Sequence, residues 1–389
     1  MRARIPKITR RRLAVLLVLG ALGFGGWYAF LRDDSSSDPG SVPADGKTGA
    51  GREDSRGPAG GLSVAEQAEQ VLLLGFEGTD SVSPFVQSLG QRQVGAVLIR
   101  TENWTGASTG TTLVDAIRKA GSGGDRVPPL IATAQEGGIY RSLGDLPPAE
   151  RALDIGRDGS RDEARSWAAD AAGALAEAGI KLDLFPIADV ATLDSPLAGR
   201  AFSDDPATVA GLTAAALDGC KDAGIACAPA HFPGLGAASG DPASGPATIS
   251  LDSQALAERD LVPFAAAARA APAMVISLGL YAAYDAVVPA ALTPQVSTSL
   301  LRGQLRFKGV AISGDLSSGA IEGIYQTDDA AVEALKAGID LVQVSEPADQ
   351  EGVAVAIERA VKAGELPPER LEEAVGRVLR LKRDLGIAR

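Results

Sequence analysis

From residue 62 to the C-terminus, short apolar runs alternate with longer stretches whose apolar residues recur every three or four positions. The runs are Val71–Phe76, Val94–Ile99, Pro129–Ala134, Ile180–Ile187, Ile225–Ala230, Ala273–Leu278, Gly309–Ser313 and Asp340–Val344. They are rich in β-branched residues and continuous rather than alternating. Parallel strands covered on both faces have this pattern. Between them, Asp162–Ala178 is Ala-rich with helical spacing. Pro206–Ala223 follows Asp204-Asp205, whose carboxylates can cap the free N–H groups of a helix. Leu371–Leu385 predicts a closing helix. Strands with helical crossovers in this number predict a (β/α)8 TIM-type barrel. An open doubly wound sheet is the alternative, but no Gly-rich dinucleotide fingerprint follows the first run. The Gly-rich segments elsewhere lack the spacing of a phosphate loop. In a barrel, polar residues just after strand ends face the site. That rule picks out Gln135-Glu136, Asp189, His231 and Ser313-Gly314-Asp315.

The first 61 residues follow a different pattern. A basic segment, 1–12, holds Arg2, Arg4, Lys7, Arg10, Arg11 and Arg12. An uncharged run, 13–31, is close to the roughly 20 apolar residues that cross a bilayer. The basic flank predicts a single-pass anchor in the cell membrane, with a cytoplasmic N-terminus and an extracytoplasmic C-terminal domain. A cleavable signal peptide is the rival; no clear small-residue cleavage site follows Gly26, and no Cys is placed for lipidation. Residues 32–61 are rich in Ser, Pro, Gly and Asp and predict a disordered tether. The folded domain is then 62–389.

Composition narrows the chemistry. A net charge of −12 argues against a nucleic-acid surface. Aromatic residues make up 4% of the chain, too few for a stack of aromatic platforms. Cys220 and Cys227 lie in the exported part, where a disulfide is permitted. The reading preferred from sequence is two small buried hydrophobes, one on a helix and one on the next strand. Their spacing fits no metal site, and neither metal nor cofactor is expected. His231 is the only histidine in 389 residues, hence the only imidazole available as a proton shuttle near neutral pH.

The strand ends together resemble glycoside hydrolase family 3, in its single-domain β-N-acetylhexosaminidase branch. The matching segments run in order: Leu74-Gly75-Phe76-Glu77-Gly78, Gln135-Glu136-Gly137-Gly138, Leu182–Val190, Gly199-Arg200-Ala201-Phe202-Ser203 with Asp205-Pro206, His231-Phe232-Pro233-Gly234, Ala311–Ile321 and Ala337-Gly338-Ile339-Asp340-Leu341. The resemblance covers Leu62 to Leu385. It implies a retaining glycosidase, in which a carboxylate attacks the anomeric carbon and a proton donor assists the leaving group. It also implies an amino sugar or peptidoglycan fragment as partner, and Arg200 and His231 as sugar contacts.

Against that pattern the chain departs at the catalytic positions. The family's nucleophile is the first Asp of Ser-Asp-Asp-Leu; here the segment is Ser313-Gly314-Asp315-Leu316. The family's donor is the His of Asp-Ser-His; here the segment is Asp241-Pro242-Ala243. The Asp before Gln-Glu-Gly-Gly is Ala134, and the Arg after it is Ile139, with Arg141 nearby. The Lys of the family's Lys-His pair is Ala230, and a second His is Leu235. Asp315 is the weak candidate for a substitute nucleophile. One residue along a strand advances the chain about 3.3 Å and reverses the side chain, whereas productive attack tolerates misplacement of under about 1 Å. Asp315 instead predicts a helix N-cap. Glu136, Arg141 and Asp241 complete the set of candidate binding residues. The expectation is a non-catalytic, glycosidase-like domain displayed near the cell wall. The alternative is an active enzyme with displaced catalytic groups.

Overall fold

A computed structural model describes residues 61–124 and 126–388. The basic segment 1–12, the apolar run 13–31 and all but the last residue of the tether lie outside the described residues. Among the described residues no helix is long and apolar enough to cross a membrane.

Each apolar run contains a strand: β1 Leu72–Leu74, β2 Ala96–Leu98, β3 Leu130–Thr133, β4 Leu182–Asp183, β5 Ala226–Cys227, β6 Ala273–Ile276, β7 Val310–Asp315 and β8 Leu341–Val344. They form one sheet in the order β5-β4-β3-β2-β1-β8-β7-β6, with every pairing parallel. Beyond β5, the chain hydrogen-bonds to β6. Phe232 N donates to Val275 O at 2.8 Å, and Val275 N donates to Pro229 O at 2.9 Å. These bonds bring the two edges of the sheet together into a near-closed parallel barrel of the (β/α)8 type.

Alternation along each strand separates two cores. Leu73, Ala96, Leu130, Ala132, Leu182, Ala273, Ile312 and Leu341 fill the inside. Their neighbours Leu72, Leu74, Val97 and Ile131 face the surrounding helices. The helices used below are α1 Val64–Gln70, α2 Arg161–Glu177, α3 Pro206–Asp222 and α4 Pro368–Asp384. Ser160 and Asp205 cap α2 and α3 by accepting from Glu163 N and Thr208 N, the second as its sequence predicts. Val378 and Leu381 of α4 join the inner core. They close the end of the barrel where the strands begin. There Lys382, fully buried, donates to Gln70 Oε1 at 3.0 Å, and burial lowers its pKa to about 7.

Two expectations change. Cys220 and Cys227 are not separate thiols but a disulfide, at 2.08 Å. The turn from α3 into β5 brings their Cα atoms to 6.1 Å, within bonding reach. Nor does Asp315 cap a helix. Residues 316–324 form turns, and the next helix begins at Thr327.

Candidate functional site

The loops after β3, β4 and β5 are held by buried carboxylates. Asp183 ends β4 and accepts from Gln135 N at 2.8 Å. Burial raises its pKa to about 8, with Glu136 adding to the rise and the Gln135 bond opposing it. Gln135 is itself fully buried. Its side chain donates to Leu143 O and Pro147 O and accepts from Leu143 N, which fixes the loop after β3. Arg141 serves the same loop, donating to Gly138 O at 2.8 Å and Leu146 O at 3.1 Å.

Glu136 and Arg200 form a two-bond fork of 2.6 and 2.7 Å. Their side chains are 9% and 20% exposed, so the pair is largely out of water. Burial works against the guanidinium charge, but Glu136, with Asp189 and Asp241 further off, outweighs it and raises the Arg200 pKa.

His231 follows a cis Ala230–His231 peptide. Its Nδ1 lies 2.8 Å from Oδ2 of the fully buried Asp189. The other Asp189 oxygen accepts from Leu235 N at 2.6 Å. An acidic partner at Nδ1 assigns the ring proton there and leaves Nε2 as the free nitrogen. Behind this pair sits Asp260, whose pKa burial raises to about 7, with Arg259 opposing and Asp189 adding.

Arg200, His231, Asp241, Ala243, Leu278, Gly314 and Asp315 line one cavity of about 170 Å³ at the barrel mouth. Ordinary ligand pockets measure roughly 300–1,000 Å³. The cavity gathers Arg200, His231, Asp241 and Asp315 of the residues singled out from sequence. Glu136 stands behind Arg200, and Arg141 is spent on its own loop. Among the described residues no cluster of three or more His, Cys, Asp or Glu is placed to hold a metal.

A β-bulge decides how Gly314 and Asp315 are presented. Ile312 pairs with Leu341, but Asp315 pairs with Gln343, so β7 carries one extra residue over that interval. A bulge breaks strict alternation. Asp315 is therefore not turned away from the cavity, as alternation from 314 predicts; both residues line it. Asp315 Oδ1 accepts from Ser317 N at 3.0 Å and Ser345 N at 3.1 Å. At 314, an added Cβ would lie 2.8 Å from Cγ of Leu278 and 3.1 Å from its Cδ1. Leu278 thus occupies the space of a side chain at position 314. On the facing loop, Asp241 is exposed, and its Oδ1 accepts from Ala243 N at 2.9 Å in a local turn.

A family model described as the glycosyl hydrolase family 3 N terminal domain matches residues 65–381. The chain belongs to glycoside hydrolase family 3. The beta-hexosaminidase LpqI of Mycobacterium tuberculosis is 30% identical to this family 3 chain, covering 96% of it and 97% of LpqI. The solved structure of M. tuberculosis LpqI superposes with a TM-score of 0.74 at 28% identity, covering 82% of this chain and 94% of that one. A family 3 beta-N-acetylglucosaminidase from Paenibacillus superposes with a TM-score of 0.79 at 28% identity. That match covers 84% of this chain but only 63% of the Paenibacillus chain.

Sequence reasoning missed three groups in this family 3 site. Asp183 carried a signal, as the one charge inside the buried tract Leu182–Ile187 before the strand end at Asp189. Leu278 carried none, because it reads as one more apolar residue of its run. Asp260 sits in Glu258-Arg259-Asp260, which reads as an exposed charged turn.

Proposed function

We propose that this family 3 domain does not hydrolyse glycosides. In this reading the domain is displayed outside the membrane on the anchor 13–31 and the tether 32–61. It binds amino-sugar or peptidoglycan fragments at the cell wall, with His231 and Arg200 as contacts. The single observation that supports loss of chemistry is Leu278 packed into the space of the side chain at 314. Loss of a covalent nucleophile removes the two-step route itself, and loss of a general acid removes about 10²–10⁴-fold more. The relatives named beta-hexosaminidase suggest the ligand class. A 170 Å³ cavity suggests that only part of a sugar ring enters. The test is hydrolysis of an aryl N-acetylglucosaminide by the full chain. Turnover no higher than that of Asp315→Asn supports the proposal. Turnover that Asp315→Asn abolishes ends it.

One observation favours a second reading. Asp315 lines the cavity, and both of its hydrogen bonds go to Oδ1. In an active enzyme its Oδ2 attacks the anomeric carbon as the bond to the leaving oxygen breaks. His231, first taking a second proton from solvent at Nε2, passes that proton to the leaving oxygen, and water later hydrolyses the glycosyl ester. A 2-fluoro glycosyl fluoride loses fluoride to give a stable ester, so a covalent mass adduct on Asp315 is the signature of this reading.

A further inference from the structure

At the opposite end of the barrel lies an open groove of about 440 Å³, lined by Arg302, Arg306, Phe307, Lys308, Arg377 and Arg380. Its only uncharged lining residue is Phe307, in a chain of net charge −12. Two of the cations are already engaged. Arg302 bonds Asp340 Oδ2 at 2.5 Å and stacks over Phe307, 5.0 Å from the ring centre. Arg377 bonds Asp340 Oδ1 at 2.9 Å and pairs with Glu373. Arg306, Lys308 and Arg380 are exposed and make no ion pair among the described residues. Arg302 Nε is buried and has no hydrogen-bond partner among the described residues. Burial, together with the neighbouring Arg377 and Arg370, lowers the Arg302 pKa despite Asp340. The groove therefore holds more positive charge than its own carboxylates neutralise.

The backbone points the same way. Arg306 has φ of 55°, the one left-handed residue other than glycine among the described residues. It ends the helical segment Gln295–Gln304, where Phe307 N reaches back to Leu301 O. Gly is the usual residue at such a helix end. An arginine held there against its conformational preference is an outlier from which a role can be argued.

We propose that this groove binds a phosphate group, with Arg306, Lys308 and Arg380 as its donors. Arginine forks match phosphate oxygens in geometry, and lysine adds a point charge. The site lies among the strand starts, away from the mouth cavity, and does not depend on whether the domain hydrolyses sugars. The phosphate has two sources, a soluble phosphate ester or a lipid headgroup.

The test uses the full chain, the variant Arg306→Gly, and the triple variant Arg306→Gly/Lys308→Ser/Arg380→Ser. Arg306→Gly relieves the backbone while removing a donor, so it should melt no lower than wild type yet bind less. In the first arm, inorganic phosphate raises the wild-type melting temperature beyond sodium chloride of equal ionic strength. The triple variant needs at least about tenfold more phosphate for the same rise. In the second arm, phosphatidylcholine vesicles are compared with and without phosphatidylglycerol. Reading the difference cancels insertion by residues 13–31, which both vesicles share. A phosphate response assigns a soluble ester. A phosphatidylglycerol-dependent difference that the triple variant loses, without a phosphate response, assigns a headgroup. Identical behaviour of wild type and triple variant in both arms overturns the proposal, as does full reproduction of the phosphate effect by sodium chloride.

Discussion

The two sides of the mouth cavity hold their polar groups in different ways. On the side of β3 to β5, Arg200 is forked to Glu136 and His231 rests on Asp189, each carboxylate buried. On the side of β6 and β7 stand Gly314, Leu278 and Ala243, and the carboxylates there, Asp315 and the exposed Asp241, accept only from backbone N–H groups and form no ion pair among the described residues. The difference separates two kinds of constraint. Removing one partner of a buried ion pair leaves an uncompensated charge, which is strongly destabilising. Removing a side chain that faces only a ligand carries no such penalty, and a neighbour such as Leu278 can fill the space. Arg200 and His231 are thus kept in place by the fold itself. Their presence says less about sugar binding than their position in the family motif suggests.

The largest effect should come from breaking the buried fork. Glu136→Ala strands Arg200 and should destabilise the domain by about 3–5 kcal/mol in chemical denaturation. Glu136→Ala/Arg200→Met should recover most of that loss, because it removes both charges together. A loss below about 1 kcal/mol for Glu136→Ala, the value of an exposed pair, would dissolve the contrast between the two sides.

A smaller effect concerns the buried acids behind the retained side. The Asp183 pKa is about 8 in the fold against an ordinary 3.8, and Asp260 is at about 7. Between the unfolded and folded values the folded chain holds protons that the unfolded chain has lost. Stability contributed by these groups is therefore present below about pH 4 and falls as pH rises toward 8. Asp183→Asn keeps an acceptor for Gln135 N but cannot ionise. It should flatten the decline by at least about 2 kcal/mol, since each tenfold difference in proton affinity between the folded and unfolded chain is worth about 1.4 kcal/mol. Denaturant midpoints measured from pH 4 to 8 would show parallel curves for wild type and variant if Asp183 were ionised throughout.

The barrel was legible because every buried strand left a continuous apolar run. The cap of α3 was legible because Asp205 acts within three residues of itself. The site was legible only where polar residues sit at strand ends, as with Glu136, Asp189 and His231. What escaped depends on contacts across the sequence. The bulge between Ile312 and Asp315 is defined against β8, so counting along β7 alone gives the wrong face for Asp315. Leu278 meets position 314 from the segment just after β6, 36 residues away in the chain. The disulfide needs the turn between α3 and β5 to bring two ordinary-looking cysteines together.

The smallest single effect, that of Gly314→Asp, tests the emptied side directly. Gly314→Asp restores a carboxylate at the family position but drives its Cβ to within 2.8 Å of Leu278 Cγ. Leucine can rotate, so the clash should destabilise by about 1–2 kcal/mol, in the lower part of the overpacking range. Leu278→Ala alone opens a void and should lose about 2–5 kcal/mol. If Leu278 fills the space of the missing side chain, the double variant must be more stable than the sum of the two single losses, because each change supplies the volume the other disturbs. Strict additivity, within about 0.5 kcal/mol as for sites that do not touch, would mean that the two positions do not compete for one space. Under the proposed non-catalytic reading the double variant shows no hydrolysis, since Ala243 still supplies no proton. The coupling energy therefore reports on packing alone, and activity appearing only after a further Ala243→His would support the proposal that this side lacks both an acid and a nucleophile.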